Sequence, residues 1–184
     1  YDSPGIRIDR FIEGLDIIKR AMADGPFSVS GRHYNVNNYE GFPKPLQRPH
    51  PPVLIGGGGK RVLTYAAHEA DIIGINGTMT AGVVGPDAIS TMTSAAVDEK
   101  VDIVRAAAGA RLKDIEMNIR SFFVKVTDDA TGTMNGIAQM IGVEPEMVAE
   151  TPFALVGPVA KLTEDLIARR ERWGFSYIIV GAED

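Results

Sequence analysis

The stretch Val53-Leu54-Ile55-Gly56-Gly57-Gly58-Gly59-Lys60-Arg61 decides how the chain is read. Three apolar residues make a short strand, four glycines follow, and the apolar spacing of Val62, Leu63, Ala66, Ala67 and Ala70 then predicts a helix. Glycines at a strand-to-helix junction let the backbone come close to an anion. The first N–H groups of the helix point outward there, aided by its dipole. Lys60 and Arg61 add positive charge at the same place. A flexible turn with solvated basic residues is the plainer alternative. Four consecutive glycines lose much chain entropy on ordering, which favours an anion site. Two familiar phosphate loops do not fit. A P-loop needs glycine at Leu54 and Ser or Thr at Arg61, and a Gly-x-Gly-x-x-Gly fingerprint ends on Arg61 or Val62.

Outward from this junction, strands alternate with helices. Ile8, Phe11, Ile12, Leu15, Ile18 and Met22 predict a helix near 6–24, which Gly25-Pro26 stops. Phe27–Gln47 reads as a β-hairpin excursion turning at Ser30-Gly31-Arg32. After the glycines come a strand at Asp71–Ile75, a loop of small residues at Asn76–Pro86, and one long helix through Ile89, Met92, Val97, Val101 and Val104. Ile115–Val126 is expected as a single strand. Short helices follow at Met134–Ile141 and Pro145–Ala149, then a helix opened by Pro158 and closed by Gly174, then a strand at Tyr177–Val180. This order predicts an α/β fold with four parallel strands. Apolar strands suggest a sheet covered on both sides. The chain starts within a turn at Tyr1 and stops just after a strand, so a segment of a longer domain is expected.

Composition narrows the function. With 19 basic and 24 acidic residues, a net charge of −5 and no basic stripe, general nucleic-acid binding is not expected. The absence of cysteine excludes disulfides, thiolate zinc sites and cysteine nucleophiles. No apolar stretch approaches a membrane span, and the first ten residues lack a signal pattern, so a cytoplasmic protein without membrane contact is expected. Parallel α/β folds bind ligands at the carboxyl ends of their strands. That places Asn76 beside the glycines, where it reads equally as a ligand contact or as half of an Asn-Gly turn. Arg120 and Ser121 fall mid-strand; Arg120 either enters the mouth of the fold or, as is more usual, pairs with a carboxylate outside it. His33, His50 and His68 match no metal spacing and are expected to be structural. No catalytic residue and no metal site are assigned.

Four segments resemble the bacterial-luciferase-like monooxygenase superfamily, in particular its F420-dependent branch. They are Gly5–Phe11; Phe27–Tyr34 running on through Pro43–Gln47 to the glycines; Ala66–Gly74; and Leu155–Gly157 with Leu166–Arg172 and Gly174–Val180. The resemblance implies the second half of a TIM (β/α)₈ barrel, strands five to eight, plus the hairpin insertion. The whole chain, 1–184, would then be part of one barrel domain lacking its N-terminal strands and last helix. It further implies reduced F420 or FMN as cofactor, with its phosphate on the N–H groups of Gly56, Gly57 and Gly58. Gly59, Lys60, Arg61 and Asn76 join the candidate site as neighbours. A small-molecule substrate is implied, and the open strand edges are expected to be covered either by the remaining barrel strands or by a second copy in a homodimer. The alternatives are a non-catalytic binder of the same cofactor and a self-contained phosphate-binding α/β domain.

Overall fold

The computed structural model describes residues 2–79 and 86–181, with only the backbone of 86 and 87. It forms two compact units, the first built on residues up to Val53 and the second on those from Leu54. In the first unit, helix α1 (Pro4–Met22) begins with Pro in its first turn and ends with Lys19 and Arg20 against its negative pole. Strands β1 (Phe27–Ser30) and β2 (Asn35–Tyr39) pair antiparallel, as the hairpin reading expects. Glu13 of α1 fastens their turn by accepting from the amides of His33 (2.9 Å) and Tyr34 (3.3 Å).

The second unit is organised by a four-stranded parallel sheet in the order β3-β4-β5-β8. Its strands are β3 (Leu54–Gly57), β4 (Ile72–Ile75), β5 (Glu116–Ser121) and β8 (Phe175–Val180). One face is the core. Ile55, Ile73, Ile75, Met117, Ile119 and Phe175 are all buried on it. Helix α2 (Lys60–Glu69) presents Leu63, Ala66 and Ala67 at helical spacing, and each is fully buried. Helix α4 (Ser94–Ala108) buries Val97, Val101 and Val104 in the same way.

Four expectations are corrected. The second face of the sheet is only partly covered among the described residues, Gly74 and Asn118 being buried on it. The alternate row of side chains leaves Leu54, Glu116, Arg120 and Tyr177 exposed, because β5 alternates Met117, Ile119 and Ser121 inward with polar neighbours. The long helix is split into α3 (Pro86–Ser90) and α4, since Thr93 accepts from the amide of Ala96 and starts a new helix. The buried ammonium of Lys100 is bonded to the Thr91 carbonyl at this break, and burial lowers its pKa. The expected strand 115–126 is two strands: Ser121 ends β5, Phe122 turns away by donating to the Phe153 carbonyl (2.8 Å), and β6 (Phe123–Val126) pairs with β7 (Ala154–Gly157). The run β7 is absent from the expected order. Of the loop expected at Asn76–Pro86, residues 80–85 lie outside those described.

The remaining helices, α5 (Ala130–Ile141), α6 (Pro145–Glu150) and α7 (Val159–Trp173), follow the expected positions. Gly142 and Gly174 end α5 and α7 in the left-handed region, where glycine carries no Cβ penalty. Asp98 of α4 joins the end of α7, accepting from Arg172 (2.9 Å from Nε) and from Trp173 Nε1 (2.7 Å). The Arg172 hydrogen bonds hold the Asp98 carboxyl below the usual carboxylate range against the opposing effect of burial, and the Trp173 bond adds to them. A depressed carboxyl stabilises the fold above its unfolded pKa, about 3.9, and loses that contribution as pH falls through the folded value. Asp98→Asn is therefore expected to cost about 1 kcal/mol at pH 7, discounted for its solvent-exposed partners. The deficit should shrink towards zero in urea unfolding repeated below pH 3. An undiminished deficit in acid would show that the charge is not its source.

Candidate functional site

The glycine run is not one turn. Gly56 and Gly57 continue β3, pairing with Gly74 and Ile75 of β4, because the ladder needs only backbone. Gly58 leaves the strand, and Gly59 is the N-cap of α2 with no side chain to satisfy the helix's first amides. Lys60, Arg61 and Val62 are thus the first three residues of the helix, and the first bond back to Gly59 comes from Leu63 (3.1 Å). The side chains of Lys60 and Arg61 are exposed.

The four glycines divide by what surrounds them. A Cβ on Gly57 would lie 2.6 Å from Val62 Cγ1. One on Gly58 would lie 2.4 Å from the Gly77 carbonyl oxygen and 2.5 Å from that of Asn76. Packing inside the chain forces these two positions. A Cβ on Gly59 would meet nothing within 4 Å, and one on Gly56 nothing nearer than Asn76 Nδ2 at 3.7 Å. No contact among the described residues requires glycine at either.

The segment after β4 closes the site from the side. The Asn76 amide donates to the Gly57 carbonyl (2.9 Å), and Thr78 Oγ1 donates to that of Gly58 (3.0 Å). Thr78 is anchored in turn, its amide donating to Thr91 Oγ1 (2.7 Å). Asn76 is therefore held beside the glycines by its backbone, with its carboxamide near Gly56. All seven expected site residues, Gly56, Gly57, Gly58, Gly59, Lys60, Arg61 and Asn76, fall at one end of β3 and β4.

Arg120 pairs with no carboxylate among the described residues. Its guanidinium lies 5.2 Å from the centre of the Phe122 ring, on the exposed row of β5. Ser121 is fully buried, and its Oγ has no hydrogen-bond partner in the structure. The His33 amide donates to the Glu13 carboxylate, while its ring Nε2 is buried with no hydrogen-bond partner among the described residues. His50 Nδ1 lies against the Pro51 carbonyl, His68 is exposed on α2, and no metal-binding cluster occurs among the described residues. No helix among them is long and apolar enough to cross a membrane.

The sequence reading missed a cavity of about 200 Å³ beside this junction. Asn76 and Gly77 line it, together with Met79, α3 and Met92, the Phe122–Phe123 turn, the end of α5, and the stretch from Val143 to Phe153 that includes α6. Its residues are far apart in sequence, and only the switch of the chain from β5 to β6 brings them together.

Comparison with known proteins agrees with this architecture. Residues 3–177 match the family model described as luciferase-like monooxygenase. The FMNH(2)-dependent dimethylsulfone monooxygenase of Pseudomonas putida is 29% identical over 124 residues, covering 67% of this chain and 30% of that protein. Among solved structures, the monooxygenase RslO1 from Streptomyces bottropensis aligns with a TM-score of 0.67 at 20% identity, over 95% of this chain and 54% of its own. An F420-dependent secondary alcohol dehydrogenase, solved with an F420-acetone adduct, aligns at 0.70 and 14%, over 98% and 58%. The chain thus spans little more than half of these structures, and its fold is an α/β partial barrel of their kind. The chain belongs to the luciferase-like monooxygenase family.

Proposed function

We propose that the protein carrying this chain is an oxidoreductase that uses reduced FMN or F420, and that this segment holds the cofactor's phosphate end. The carrying observation is the division of the glycines: among the described residues Gly59 faces open space and Gly56 has room for a Cβ in ordinary contact, beside three helix amides without a capping side chain. A phosphate fits that donor set, since backbone N–H groups and the helix dipole both favour an anion. Lys60 and Arg61 supply positive charge, and the Asn76 carboxamide can bond a neighbouring polar atom. The cofactor, once bound, supplies the hydride or oxygen-activating chemistry. This chain's part is to bind its tail, fix its position along β3 and β4, and exclude water. We place the residues around its reactive ring, and any acid or base, on barrel strands one to four outside this segment, consistent with the share of the related structures that it covers.

The test is titration of the full-length protein with reduced FMN and with F420, followed by calorimetry and fluorescence. Saturable binding of one of them at one site per chain is expected. The titration also chooses between the two: the relative from Pseudomonas putida is FMNH(2)-dependent, whereas one structural neighbour is F420-dependent. Binding of neither removes the proposal.

A further inference from the structure

The cavity beside the glycine junction has no role in holding a phosphate. Met79, Ile89, Met92, Phe122, Phe123 and Phe153 line it, and none of its described lining residues carries a titratable side chain. Thr151 contributes a hydroxyl, but that group is already used: it donates to the Met92 carbonyl (2.6 Å) and accepts from the Phe153 amide (3.3 Å). A charged ligand entering such a space would lose its hydration without gaining a partner. A neutral apolar one would release water from both surfaces.

We propose that this cavity receives the neutral, apolar part of the substrate, an aromatic ring or a hydrocarbon group of similar size. The proposal rests on the oxidoreductase reading for the word substrate, and on the cavity alone for the ligand class. Size limits the ligand. An apolar cavity of about 150 Å³ accepts benzene, so the 200 Å³ here leaves room for a ring with a small substituent or a fused second ring. Position argues for a substrate over a detached apolar ligand. Asn76 and Gly77 are among the cavity's lining residues, and the same two residues set their carbonyls against Gly58. A ligand in the cavity therefore lies beside the proposed phosphate end of the cofactor, so the cavity suits the part of a substrate remote from the reacting ring. Asn76 is the one lining side chain whose polar group is not already bonded among the described residues, so the ligand's polar end is expected to face it. The thioethers of Met79, Met92 and Met147 are flexible and polarisable, and suit a ring whose exact shape varies.

The experiment uses the full-length, cofactor-free protein, with indole as the neutral probe and indole-3-carboxylate as its anionic counterpart. Calorimetry should show one saturable indole site per chain, with the carboxylate at least tenfold weaker. Met147→Trp fills the cavity and should weaken indole at least tenfold while leaving FMN or F420 binding unchanged. Val143→Phe is a second filling variant should Met147→Trp fold poorly. Met140→Trp, on the exposed side of α5 and 68% accessible, should bind indole normally. No saturable indole binding, equal binding of the anion, or full binding in both filled variants overturns the proposal. Normal indole uptake with no FMN or F420 binding removes the oxidoreductase reading instead, and with it the assignment of the ligand as substrate.

Discussion

Arg169→Met is expected to lower the melting temperature of the protein by about 5–15 °C, corresponding to a loss of about 2–4 kcal/mol. Arg169 lies on α7 and is buried, at 8% exposure. Its guanidinium donates to the Pro152 carbonyl (2.8 Å) and to the Ala154 carbonyl (2.6 Å). The second bond has a structural cause. Among the described residues strand β7 pairs with β6 alone, so alternate carbonyls on its other edge have no strand there to bond them. Burial lowers the Arg169 pKa, opposed by the nearby Asp165 carboxylate, yet a guanidinium stays charged at any working pH. Removing it leaves two carbonyls short of donors in a buried place, which costs more than the burial of the charge returns. Arg169→Lys keeps the charge but not the fork, and should recover only part of the loss. The bond also fixes the segment that carries Phe153 into the apolar cavity, so indole binding should weaken with it. A melting temperature within 1 °C of the parent protein in Arg169→Met would refute the account.

The parts of the fold legible in the sequence are those set by local period. Helices α2 and α4 bury residues at i, i+3, i+4 and i+7, and Leu63, Ala66, Ala67 and Ala70 follow that spacing closely; α1 has the same apolar period but among the described residues buries Leu15 alone. The junction at Gly56–Gly59 was legible because a glycine run between a strand and a helix has few uses. Strand β7 was not legible. Four residues of Ala154–Gly157 give too short a run to separate from a loop, and their pairing with β6 is non-local. Nor was the break at Phe122, since Phe122 and Phe123 have the same β propensity as their neighbours, and the partner that draws the chain away, Phe153, is 31 residues on. The partly open face of the sheet had a signal in Glu116 and Arg120, exposed polar residues that strands buried on both sides seldom carry. The role of each glycine was illegible in principle, because it depends on which atoms lie opposite an absent Cβ.

That division gives the most direct test of the site. Gly58→Ala would set a Cβ against two backbone carbonyls, which cannot swing aside as a side chain can. It is expected to destabilise the protein by about 1–3 kcal/mol and to push the Asn76–Gly77 segment away from β3. Cofactor affinity should fall as a consequence, together with the melting temperature. Gly59→Ala is the opposite case. Its φ of −88° is ordinary for alanine, and the new methyl meets nothing within 4 Å among the described residues. Stability should hold, or rise by up to about 1 kcal/mol because the unfolded chain has fewer states to lose. If a phosphate comes up to the helix start, the same methyl stands in its way, and FMN or F420 should bind at least tenfold more weakly. Gly56→Ala tests the strand side of the same space, and Lys60→Ala should weaken binding less and mainly at low salt, as expected for an exposed charge. A Gly59→Ala protein that melts normally and still binds the cofactor at full strength would place the phosphate elsewhere. Its loss of binding at unchanged stability separates a ligand's requirement for glycine from the fold's, which Gly58→Ala cannot do.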